Sequence, residues 1–171
     1  AEYVQKYSVG IVGGCCGTTP EHLRLLVEQL QGSPVALRAQ RRHPHLASAT
    51  QAVAMVQQPP PFLIGERLNT QGSAKFKKMI LAEDFDGALE LARQQMDSGA
   101  HGLDLCTALT ERPDEGDLMR RLIKALAPSV RVPFIIDSTE PEVVEIALQT
   151  APGRCLINST NLEAGRAKAA R

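Results

Sequence analysis

The chain has 171 residues, of which 43% are hydrophobic and 22% charged, with 19 Lys+Arg against 19 Asp+Glu. This is the composition of a globular chain long enough for one cored domain or for pieces of two. Zero formal net charge argues against nucleic acid or an anionic membrane as a partner, and no apolar run approaches the roughly 20 residues of a membrane helix.

In chain order, Val9 to Val12 reads as a short buried strand. Thr18 or Thr19 can cap a helix whose first turn holds Pro20, with Leu23, Leu26, Val27 and Leu30 on one face and Gly32 as its stop. Residues 32–61 lose this periodicity and carry Pro34, Pro44 and the triplet Pro59-Pro60-Pro61. They read as an interdomain linker, stiff where the prolines cluster, with a short strand at Ala52 to Val56. The basic stretch Arg38 to His45 reads as solvated linker surface.

A regular rhythm follows. Phe62-Leu63-Ile64 is a strand, succeeded by Gly65-Glu66-Arg67-Leu68-Asn69. Helices are predicted over 74–81 and 85–98, the second capped by Asp84 and stopped by Gly99. Leu103 to Cys106 is the next strand, and Leu118, Met119, Leu122, Ile123 and Leu126 mark a helix face. Val132 to Ile136 is a strand ending in Asp137-Ser138-Thr139. Pro141 opens a helix with Val143, Val144, Ile146 and Ala147, and Cys155-Leu156-Ile157 is a strand ending in Asn158-Ser159-Thr160. Strands and helices that alternate, with strands apolar throughout, predict an α/β fold around a parallel sheet, either a β/α barrel or a doubly wound sheet. Four strands are about half of an eight-stranded barrel. No Gly-x-Gly-x-x-Gly follows a strand, which removes support for a dinucleotide site. The chain opens at Ala1 without Met and stops in a polar, helix-like segment at Arg171, so it reads as part of a longer protein.

Glu66, Asp104, Asp137 and Asn158 all fall at or near the C-terminal ends of predicted strands. In a parallel barrel those ends form one mouth, where ligands bind. Each residue alone could instead cap the helix that follows its strand. Carboxylates accept N–H donors and an amide both donates and accepts, so the set suits a flat, hydrogen-bonding heterocycle. No nucleophile is paired with a base. His101 precedes a strand and belongs to the opposite, structural end, while His22, His43 and His45 lie on a helix start and the linker.

The four cysteines, Cys15, Cys16, Cys106 and Cys155, do not space like a secreted disulfide framework. With no signal peptide, the expected setting is the cytoplasm. A disulfide between adjacent Cys15 and Cys16 would strain the peptide between them. Thiolates are strong zinc ligands, Gly13, Gly14 and Gly17 let the backbone bend, and a following helix N-terminus favours thiolate. Zinc takes four ligands, so others would have to come from elsewhere. A redox pair and two small buried hydrophobes remain the alternatives.

Gly13-Gly14-Cys15-Cys16-Gly17-Thr18-Thr19-Pro20-Glu21-His22 resembles the last strand–helix unit of homocysteine S-methyltransferase barrels. Residues 62–171 resemble the first half of a pterin-binding, methyltetrahydrofolate methyltransferase barrel, through Gly65-Glu66-Arg67-Leu68-Asn69, Leu103-Asp104-Leu105, Asp137-Ser138-Thr139 and Ile157-Asn158-Ser159-Thr160. In this order the modules resemble the front of the cobalamin-dependent methionine synthase family. The resemblance implies parts of two (β/α)8 barrels: residues 1–31 close a homocysteine- and zinc-binding barrel, 32–61 link, and 62–171 supply the first four units of a pterin-binding barrel. It implies Cys15 and Cys16 as zinc ligands. It implies Asp137 and Asn158 as residues that hold the pterin, with Glu66, Asn69 and Asp104 at the same mouth and an Asn158-centred hydrogen bond assisting protonation near N5. The implied reaction carries the methyl group of 5-methyltetrahydrofolate through cobalamin, bound by another domain of the parent chain, to homocysteine, forming methionine. The family's third Cys and the second-half pterin residues are absent here, so the chain alone is expected to be inactive. Cys106 stands where many relatives carry Asn, and a thiol is a weak hydrogen-bond partner. The competing readings are another methyltetrahydrofolate–corrinoid methyltransferase, a dihydropteroate synthase-like barrel, and a non-catalytic binding fragment.

Overall fold

A computed structural model describes residues 2–7, 9–33 and 44–159. The basic residues Arg38 to His43, Pro34 and the start of the predicted linker, Thr160, and the polar segment ending at Arg171 lie outside the described residues. The chain divides into two compact units, 1–42 and 43–171. No helix among the described residues is long and apolar enough to cross a membrane.

The first unit has two helices. α1, Glu2–Tyr7, lies where no helix was expected; α2 is Pro20–Leu30. Thr19, not Thr18, is the cap of α2: its backbone is extended and its N–H donates to Nδ1 of His22 at 3.1 Å. His22 is thereby spent on the helix start. At the other end the Gln31 N–H reaches the Val27 carbonyl, and Gly32, at φ 76°, takes the left-handed turn that ends the helix. The predicted strand over Val9 to Val12 is not formed, and Ile11 is 92% exposed. A strand exists through ladder bonds to a neighbour, and no strand lies among the described residues of this unit. For the same reason α2 buries none of its apolar residues among the described residues, although they line one face as predicted.

The second unit is α/β. Its strands β3 (Ile64–Asn69), β4 (Gly102–Cys106), β5 (Phe134–Asp137) and β6 (Leu156–Asn158) form one parallel sheet in sequence order. α3 (Ala74–Leu81) and α4 (Phe85–Asp97) connect β3 to β4, α5 (Glu115–Leu126) connects β4 to β5, and α6 (Pro141–Thr150) connects β5 to β6. Each strand lies beside its sequence neighbour without a reversal of order, which is consistent with part of a β/α barrel. The core lies between sheet and helices. Leu68, Leu103, Leu105, Phe134 and Ile136 meet Phe76, Ile80, Leu91, Ala92 and the predicted face of α5, Leu118, Met119, Leu122, Ile123 and Leu126. Each of the larger side chains removed from water contributes about 1.5–3 kcal/mol, so this layer fixes the strands that carry the polar residues.

β3 differs from its prediction in a way that matters. It starts at Ile64, not Phe62, and runs through the polar stretch to Asn69. Its pairing with β4 shifts register between Gly65 and Leu68, a bulge that absorbs Glu66 and Arg67. The Arg67 N–H freed there donates to Oε1 of Gln95, a buried residue of α4, at 2.8 Å. Gly65 permits this approach, because a Cβ there would stand 2.6 Å from the same Gln95 oxygen. His101 is at the structural end as expected, with Nδ1 accepting the Leu63 N–H at 2.9 Å.

Part of the stretch read as linker is folded. β1 (His45–Ala47) and β2 (Ala52–Ala54) form an antiparallel hairpin. Ala47 exchanges backbone bonds with Arg154, just before β6, at 3.0 and 2.9 Å, and Ser48 Oγ donates to the Arg131 carbonyl, just before β5, at 2.7 Å. The hairpin is thus fastened to the N-terminal ends of the strands. Gly153 makes the contact possible: its φ is 87°, and a Cβ would stand 2.3 Å from the Ala47 carbonyl oxygen. Gly153→Ala is expected to destabilise the second unit by about 1–3 kcal/mol, read as a lower urea midpoint. A wild-type midpoint would show that the hairpin is not fastened there.

Candidate functional site

Strand alternation sorts the side chains. With Leu68, Leu103, Leu105 and Ile136 turned toward the helices, the period of two turns Asn69, Asp104, Cys106 and Asp137 to the other face. The register sets Asn69 beside Cys106, Asp104 beside Ile135 and Asp137 beside Asn158. The polar residues therefore gather on one face, toward the C-terminal ends of neighbouring strands.

Asn69 joins them. Its Nδ2 donates to Oδ2 of Asp104 and to Oδ2 of Asp137, both at 2.8 Å. Its Oδ1 accepts the backbone N–H groups of Gln71 at 2.8 Å and Gly72 at 3.3 Å. A primary amide has two N–H hydrogens and two acceptor lone pairs, so Asn69 is fully engaged. Asp104 is 5% exposed. Burial pushes its carboxyl pKa up and the nearby Asp137 and Glu66 charges add to this, while hydrogen bonds from Asn69 and Asn158 oppose it. Among the described residues Asp137 makes no side-chain hydrogen bond other than that to Asn69, which leaves its second oxygen available.

The capping alternative does not describe Asp137. The cap position of α6 is Glu140, whose N–H donates to Ser138 Oγ at 3.2 Å. Asp104 lies within a strand and caps nothing. Asn158 ends β6 on the exposed side. Glu66 is also exposed; it lies in the bulge of β3, before the strand's end, and near the Asn69–Gly72 turn, where a Cβ on Gly72 would stand 3.3 Å from its Oε1. Cys106 is buried, 3.8 Å from Thr70 Oγ1, and burial raises its thiol pKa. It fills space as a neutral thiol.

In the first unit Cys15 and Cys16 are both free and exposed. They sit in a tight turn: Thr18 N–H reaches the Cys15 carbonyl at 2.9 Å, and Cys15 N–H reaches Thr18 Oγ1 at 2.9 Å. Gly17 turns at φ 84°, and a Cβ on Gly14 would stand 2.3 Å from the Thr18 methyl. The turn presents two soft donors next to the start of α2. Thiols are soft donors of the kind zinc takes, but among the described residues no group of three or more His, Cys, Asp or Glu is placed to hold a metal ion, so the pair alone is not a complete metal site.

Two family models match the chain in succession. The model for homocysteine S-methyltransferase covers residues 1–30, and that for pterin binding enzymes covers residues 65–171. The chain belongs to the pterin binding enzyme family. Family relatives include a methionine synthase of Mycobacterium tuberculosis (strain ATCC 25618 / H37Rv), 37% identical over 165 residues, and one of Mycobacterium leprae (strain TN), 36% identical over 170 residues. Each alignment covers 96% of this chain and 14% of the relative, so the chain spans about a seventh of the length of the curated relatives it matches.

Raised in the folded state, the Asp104 pKa makes the fold bind a proton more tightly than the unfolded chain does. That contribution is fully present below the ordinary aspartate range and is lost as pH rises through the raised value. Wherever it is ionised, the Asp104 carboxylate therefore opposes folding. Asp104→Asn is expected to raise the thermal midpoint at pH 7, with the gain shrinking toward acid; a gain independent of pH would point to packing instead.

Proposed function

We propose that residues 1–31 complete a homocysteine-binding barrel and that 62–171 begin a pterin-binding barrel, joined by 32–61 within a longer methyltransferase. The reaction proposed is transfer of the methyl group of 5-methyltetrahydrofolate, by way of cobalamin, to zinc-activated homocysteine, giving methionine. The observation that carries the reading is the pair of strand-borne carboxylates, Asp104 and Asp137, drawn to one amide at the ends of parallel strands. The order of the two family matches and the name of the mycobacterial relatives support it.

In this reading Asp104 and Asp137 accept the ring N–H and amino hydrogens of the pterin. Asn69, with no free donor or acceptor, enters as the brace that holds both carboxylates in place. Glu66 lines the same mouth. Asn158 contributes an amide at its rim and centres the hydrogen bonds through which N5 gains the proton that makes the pterin a better leaving group. Cys15 and Cys16 supply two zinc ligands, the others coming from outside the described residues. When bound, zinc lowers the pKa of a coordinated thiol and so favours the thiolate nucleophile. No described residue is assigned to cobalamin, which another domain of the parent chain would hold. The setting proposed is the cytoplasm.

The test is made on the full-length protein. Asp137→Ala is expected to weaken 5-methyltetrahydrofolate binding about 10–100-fold while shifting the unfolding midpoint little. Unchanged binding with a large stability loss would make Asp137 structural. Folate binding without methyl transfer to cob(I)alamin would favour a binding module over an enzyme. Cys16→Ser is expected to lower bound zinc, measured by metal analysis; wild-type zinc content would remove Cys16 from the ligand set.

A further inference from the structure

Ser138 stands where three elements meet. It is 6% exposed and directly follows Asp137. Its backbone N–H donates to the Asn158 carbonyl at 3.1 Å, just past the paired Asp137 and Asn158. Its hydroxyl accepts the Glu140 N–H at 3.2 Å and donates to Oε1 of Glu115 at 2.8 Å. Glu115 lies in the first turn of α5, and its carbonyl accepts from Thr107 Oγ1 at 3.1 Å. Thr107 is fully buried and directly follows β4. A continuous run of bonds thus leads from the end of β4, through Glu115 and Ser138, to the end of β6.

We propose that Glu115 is a positioning residue of the ligand mouth, acting through Ser138 to fix Asp137 relative to Asn158. The proposal rests on the pterin reading given above. A serine hydroxyl has one hydrogen. Committed to a carboxylate, that hydrogen makes a charge-assisted bond and the rotor is locked. Among the described residues Asp137 has a single side-chain tie, to Asn69, so the aim of its other carboxylate oxygen depends on the backbone that Ser138 holds. Glu115 itself bonds to none of Asn69, Asp104 and Asp137.

The test titrates 5-methyltetrahydrofolate into the full-length protein and into Glu115→Ala, Ser138→Ala, the double variant and Glu115→Gln, with a thermal midpoint for each. Glu115→Ala and Ser138→Ala are each expected to raise Kd about tenfold. The double variant is expected to be no worse than the weaker single one, because both remove the same link. Glu115→Gln keeps a carbonyl acceptor and is expected to recover most of the affinity. The KM for methyltetrahydrofolate rises with Kd, while the KM for homocysteine stays constant. Effects that multiply in the double variant, or affinity losses that only track the unfolded fraction, overturn the proposal. Wild-type affinity in Glu115→Ala overturns it while leaving the pterin reading standing, whereas a wild-type protein that binds no folate overturns both.

Discussion

Two carboxylates on neighbouring strands repel each other, and more strongly where one of them is buried, as Asp104 is. The single amide of Asn69 meets both, at 2.8 Å each. Its neighbours in the chain hold this amide in place. Its oxygen is pinned by the backbone of Gln71 and Gly72, and its strand is held by the core behind Leu68. The bulge in β3 brings Asn69 into line with Cys106, one strand across and just past Asp104. A buried polar group of this kind contributes when its whole hydrogen-bonding capacity is used, and no buried side-chain polar atom among the described residues lacks a partner.

The mouth and the core divide the work along each strand. Leu103 and Leu105 stabilise the sheet from the helix side, while Asp104 between them faces the opposite way and opposes folding when ionised. The sheet tolerates that because the helix layer is continuous, with α5 contributing five buried residues to it. Among its described residues the first unit has no such layer: its thiols lie on a turn beside a helix that buries none of its own apolar residues. A 42-residue unit rarely encloses a core of its own.

Much of this was legible in the sequence. Buried parallel strands leave short apolar runs that stop at a polar residue, which is how Asp137 and Asn158 stood out, while Asp104 showed as a carboxylate inside such a run, near its end. The α5 face was readable from its spacing alone. What escaped detection has a common cause, dependence on partners distant in sequence. Val9 to Val12 has the composition of a strand, but no ladder partner lies among the described residues. β2 lies within the strand read at Ala52 to Val56, but its three-residue partner β1 is too short for alternation to register. Gln95 reads as an ordinary polar residue of α4 until the bulge opposite it is known. Glu115 and Ser138 are 23 positions apart, and no local pattern couples them.

The hairpin has a further consequence, for the order of events as the chain is made. Ala47 is among the first residues of the second unit to leave the ribosome, yet its partner Arg154 follows almost the entire sheet. Contacts so distant in sequence form late. The hairpin can be tied to Arg131 through Ser48 before β6 exists, but its backbone bonds to Arg154 need the residues that lead into β6, so its full docking requires nearly the whole sheet.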